Sequence, residues 1–146
     1  MNHQRHIIRE AIVALLAGAG TAAGTRVYDH PYDPRTSFPA LTVEDGVEQQ
    51  QTQSMPAGPG RPIERTLVLV ISAEVQQTAN YARARDQLLA EVESLLASAA
   101  IVGVKAITPA GYQPDLNVEG ERPIAVGRQR FEVLYYTAQG TPATPL

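Results

Sequence analysis

Asp29, His30 and Asp33 form the most compact acid–base cluster in this chain. An imidazole flanked by carboxylates can act as a general base, which would suit a small hydrolase or a ligand-binding module. The nucleophile such a base would activate is missing: Ser37 lies near but in no nucleophile elbow, and no phosphate-binding loop or metal motif occurs. His3 and His6, three residues apart, would share a helix face, but no third ligand stands at a suitable spacing, which favours a solvated helix end. Gly18-Ala19-Gly20 with Gly24 has the glycine spacing of a dinucleotide loop in the wrong order. That fingerprint needs a strand before it and a helix after it, and here the helix comes first, so the glycines read as a helix cap and a link. The absence of cysteine excludes a disulfide framework, a thiolate zinc site and a cysteine nucleophile. The side-chain chemistry points away from catalysis, and neither a cofactor nor a metal is expected.

The same cluster suits docking better. It sits in the run Arg26 to Arg35, where Asp-His-Pro and Asp-Pro steps disfavour helix before each proline. Tyr28, Asp29, His30, Tyr32, Asp33 and Arg35 on a proline-braced loop lose little entropy on binding, as a protein-docking surface requires. A second candidate set is Arg128, Arg130 and Glu132 on the last long strand, with Glu74, Arg83 and Arg85 elsewhere. These charges either coat a solvated sheet face or pair with a neighbouring subunit; both readings stand. The net charge of −3 and the dispersed basic residues argue against DNA binding as the primary task.

The 146 residues, 44% hydrophobic and 18% charged, fit a single domain over 1–137 with a moderate aliphatic core; aromatics are 5% and tryptophan is absent. Ile7, Ile8, Ala11, Ile12, Leu15 and Leu16 predict an amphipathic helix over about 3–17. Arg5 and Arg9 before the apolar run 11–17 resemble a secretory leader, but Arg9-Glu10 interrupts it and the large residues keep to one stripe. No apolar run nears the roughly 18 residues of a membrane span. Strands follow at about 27–28, 40–44 and 63–77, the last with Leu67, Leu69, Ile71, Ala73 and Val75 on one face. The Gln-, Gly- and Pro-rich stretch 45–62 reads as a long exposed loop between the second and third. Thr78 or Asn80 would cap a second helix carrying Leu88, Leu89, Val92, Leu95 and Leu96. Strands at about 102–112 and 123–137 follow, joined by the polar turn 113–122, and 138–146 reads as a flexible tail. Strands joined without helical crossovers imply an α+β fold in two layers, a mostly antiparallel sheet with both helices packed on one face.

This order of elements, with the Phe38-Pro39 and Glu121-Arg122-Pro123 junctions, resembles the tail terminator (minor tail, tail-completion) proteins of long-tailed bacteriophages. The resemblance covers most of the chain and rests on no single motif. It implies a non-enzymatic virion protein, assembled in the host bacterial cytoplasm, that forms a hexameric ring at the head-proximal end of the tail tube. Such a ring ends tube polymerisation and meets the head-completion (neck) proteins, and genomic DNA passes through its lumen without specific binding. The alternatives are a head-completion or connector protein and, from another class, the hydrolase or ligand-binding module built on Asp29, His30 and Asp33.

Overall fold

The computed structural model describes residues 3–29, 37–52, 60–76, 79–117 and 123–146. Helix α1 (Gln4–Gly18) turns Ile8, Ile12 and Leu16, one every four residues, fully inward. Its first turn is capped by His3, whose Nδ1 accepts the Arg5 backbone N–H at 3.1 Å. Helix α2 (Tyr81–Ala97) buries Leu88, Leu89, Val92 and Leu96. Asn80 precedes it at φ 58°, a left-handed conformation that asparagine tolerates, and makes no side-chain cap bond.

Among the described residues six strands form one sheet: β1 (Val27–Tyr28), β2 (Ala40–Thr52), β3 (Pro62–Gln76), β4 (Val104–Asn117), β5 (Ile124–Ala138) and β6 (Thr141–Pro145). Their order is β1-β2-β3-β5-β4, with β6 beside β5. Every pair is antiparallel except β1 with β2, where Val27 lies opposite Leu41 in a parallel register. Alternation assigns Leu67, Leu69, Ile71 and Ala73 of β3 and Phe131, Val133 and Tyr135 of β5 to one face. These residues form a single core with Ile8, Ile12 and Leu16 of α1 and Leu88, Val92 and Leu96 of α2. Both helices therefore cover the same face, and the architecture is the expected two-layer α+β fold. At Gly127 the helix layer comes close: a Cβ there would stand 2.9 Å from side-chain atoms of Arg85 and Leu89. No helix among the described residues is long and apolar enough to cross a membrane.

Several boundaries differ from expectation. The stretch 45–62 is not an exposed loop throughout: β2 runs on to Thr52, β3 starts at Pro62, and 53–59 lie outside the described residues. The Gln-rich run lacks the aromatic and most of the β-branched residues enriched in strands, but pairing of Glu48 with Leu67, Gln50 with Arg65 and Thr52 with Ile63 satisfies the backbone and overrides that preference. β4 likewise extends through the expected turn to Asn117, because Gln113 pairs with Arg128 and Leu116 with Ala125. The segment 138–146 is not simply a tail. It reverses at Gln139-Gly140, where Gly140 at φ 90° takes a conformation open to glycine, and β6 returns along β5.

Between Asp45 and Glu48 the ladder carries a bulge: Asp45 pairs with Leu69 and Glu48 with Leu67, leaving Gly46 and Val47 opposite Val68. Before it, Leu41 and Val43 face the helices; after it, the even-numbered residues do. Without the extra residue Val47 would face the helices and Glu48 the open side. Gly46 suits this spot, since a Cβ would stand 3.1 Å from the Val68 carbonyl oxygen.

Candidate assembly surfaces

The bulge carries Glu48 into the helix-covered side, where its side chain is only 6% exposed. Arg5 Nη1 of α1 lies 2.7 Å from Glu48 Oε2, Arg65 Nη1 of β3 3.2 Å, and Gln50 Nε2 of β2 donates at 2.7 Å. Tyr135 of β5 donates its hydroxyl to Oε1 in a short hydrogen bond. Arg65 Nε also donates to Thr137 Oγ1 at 2.8 Å. Burial by itself pushes the Glu48 carboxyl up, but the hydrogen bonds from Tyr135 and Gln50 and the charges of Arg5 and Arg65 together hold it below the usual carboxylate range. Burial, and then the carboxylate of Glu48, push the Tyr135 phenol up. His3 is held low by burial and by the Arg5 and Arg65 charges, in keeping with a neutral ring whose Nδ1 accepts. A carboxylate with its charge neutralised and its lone pairs occupied is poorly placed to attack or to take a proton; it ties α1 to β2, β3 and β5. Sequence reasoning misses Glu48 because its polar, Gln-rich run carries no apolar alternation to mark a strand. The isolated Gly46, a frequent mark of a bulge, was the available signal.

The other sheet face has no helix over it among the described residues. Glu74, Arg128, Arg130 and Glu132, far apart in sequence, all lie on it, as the β3–β5 register places Glu74 opposite Val126, Ser72 opposite Arg128, Val70 opposite Arg130 and Val68 opposite Glu132. Glu74 accepts from Thr42 Oγ1 at 3.0 Å, and Arg128 Nη1 lies 3.5 Å from Asp115 Oδ2. Arg130 and Glu132 are exposed and border a concavity lined by Val47, Val68, Val70 and Ala110. Val47 is 71% exposed.

The remaining predicted residues are divided. Arg83 is exposed on α2. Arg85 is largely covered, with its guanidinium 5.7 Å above the Tyr112 ring centroid and its Nε 3.4 Å from Asp86 Oδ1. Tyr28 is half-buried in β1 and Asp29 is exposed just after it. His30, Tyr32, Asp33 and Arg35 lie outside the described residues. His6 stands 3.0 Å from Glu10 and within 2.9 Å of Arg9, and no group of three His, Asp or Glu side chains suited to a metal occurs among the described residues.

No protein-family model matches the chain. No curated protein matches it either. Among solved structures, the chain is similar to a chain from the virion of a native gene transfer agent particle, with a TM-score of 0.51 at 18% identity. The match covers 90% of this chain and 92% of that one, so the two share a fold across nearly their whole lengths.

Proposed function

We propose that this chain is a structural virion protein, a tail terminator that assembles into a ring at the head-proximal end of a tail tube. The observation carrying this reading is the fold shared with a chain of a gene transfer agent virion over nearly the full length of both. The resemblance of the element order to phage tail terminators points the same way. In this reading the protein is not an enzyme: the buried carboxylate of Glu48 is bound up in ion pairs and hydrogen bonds that join a helix to three strands.

A ring needs head-to-tail interfaces, in which two different patches of one subunit complement each other. The helix layer and the uncovered sheet face, with Glu74, Arg128, Arg130 and Glu132, are two such patches on opposite sides of the molecule. The tail tube protein and a head-completion protein are the further partners, and DNA traverses the lumen without specific contact, as suits a net acidic chain. Light scattering and negative-stain microscopy of the purified protein should show closed rings, hexameric by analogy with the family it resembles. A strictly monomeric protein that also fails to restore tail length control to a terminator-deficient phage would overturn the proposal.

A further inference from the structure

A cleft of about 450 Å³ opens between the end of α1 and the outer side of α2, lined by Ala19, Gly20, Thr21, Glu91, Ser94 and Leu95. Its walls are chemically divided. Ala19, Gly20 and Leu95 are apolar, while the exposed Glu91 and Ser94 supply oxygen acceptors. Glu91 accepts the Ala22 backbone N–H at 3.0 Å and has no ion pair among the described residues. The Thr21 hydroxyl is buried without a hydrogen-bond partner, in a residue only 8% exposed. The last turn of α1 ends here with no basic residue, so the negative end of its dipole and its terminal carbonyls are uncompensated by charge. Apolar walls for methylenes, with acceptors around them, are what a long cationic side chain requires.

Arg83, Lys105 and Arg130 are exposed cations without an ion pair among the described residues. Arg83 stands on α2, in the helix layer itself, and Lys105 falls at the register shift of the edge strand β4 between Val104 and Ala106, so neither would bring the uncovered sheet face against a helix layer. Arg130 lies on the opposite layer, beside Val47, Val68 and Val70, which a covering helix layer would bury. We propose that the cleft at the end of α1 receives the guanidinium of Arg130 from a second copy, so that the helix layer of one subunit covers the open sheet face of the next. This rests on the assembly proposed above and specifies its contact.

The experiment is a charge swap read by light scattering over a concentration series. Glu91→Arg and Arg130→Glu, both at exposed sites and checked for unchanged melting, should each raise the concentration for half-assembly by about tenfold or more, and the double variant should restore it. The chain has no cysteine, so Ser94→Cys with Glu132→Cys in one chain should give an oxidised ladder extending beyond dimers. If the wild type assembles but neither single variant weakens it, the contact is wrong and the ring stands. If Arg83→Glu, rather than Arg130→Glu, is the disruptive change, the contact is also wrong. Oligomers that respond to the swap but never close into rings would keep the contact and remove the terminator reading, and a wild type that is monomeric throughout would remove the contact and, if it also fails to restore tail length control, the terminator reading with it.

Discussion

Glu48 shows how much one side chain can organise when its charge is carried under a helix layer. Removing one partner of a buried ion pair costs about 3–5 kcal/mol, because the charge left behind keeps its desolvation penalty. Arg65, whose side chain is 9% exposed, is the group stranded here. Glu48→Ala should therefore lower unfolding free energy by about that amount in urea titration. The pH dependence follows from the direction of the shift. The folded carboxyl is held low, so as pH falls the unfolded chain takes up the proton first. The stabilisation is complete above the unfolded value, about 4.3, and is lost as pH drops through the folded one. His3 is also held low, so its share is present above about pH 6.5 and declines below it. For Tyr135, shifted up, the contribution is full below about pH 10 and lost as pH rises beyond it. Stability curves of Glu48→Gln should lack the steep acid limb below about pH 4.3; an acid limb identical to that of the wild type would show that Glu48 is not its source.

At the level of elements, β2 carries the lesson that a polar run can be structural. Composition alone suggests that residues 47–60 can be removed without harm. The ladder says otherwise, because that deletion takes away Glu48 and the strand half pairing with Ile63 to Leu67. It should cost at least about 3 kcal/mol. Deleting Val47 alone removes the extra residue while keeping Glu48 opposite Leu67, and should cost only about 1 kcal/mol. Comparable losses for the two deletions, measured by chemical unfolding, would contradict the role assigned to the Glu48 cluster. In α2, Leu88 is fully buried against the sheet, and Leu88→Ala should cost about 2–5 kcal/mol. The amphipathic stripes behind these estimates were readable in advance: Ile8, Ile12 and Leu16, and the alternation from Leu67 to Val75. A helix or strand period is written in neighbouring residues and needs no knowledge of the partner. The bulge was not readable with the same ease, since a ladder irregularity exists only with respect to the opposite strand.

At the scale of the whole molecule stands the segment 28–35, read from the sequence as a docking surface. Asp29 is exposed, and exposed charges contribute little to stability. Replacing Asp29, His30 and Asp33 together with alanine should leave melting unchanged while tail completion falls, scored as infectious titre and as overlong or headless tails in a complementation assay. Normal tails from the folded triple variant would take this segment out of the interface. A hydrolytic activity present in the wild type and absent from the variant would instead favour the enzyme alternative.

The periodicities of this chain were enough to establish two amphipathic helices, an alternating central strand and a mostly antiparallel two-layer fold, because each is a short-range pattern of apolar spacing. They could not reveal that Glu48 meets Arg5, Arg65 and Tyr135, since those residues come from α1, β3 and β5 and only the packed sheet brings them within hydrogen-bonding distance. Nor could they show that Glu74, Arg128, Arg130 and Glu132 share one uncovered face, which follows from a register between strands about 60 residues apart. The return of β6 and the parallel pairing of β1 with β2 belong to the same class. Val27 and Tyr28 favour a strand by themselves, but their parallel partner is not written locally; the proline-bearing 141–145 has weak strand propensity, and backbone pairing with β5 makes it a strand.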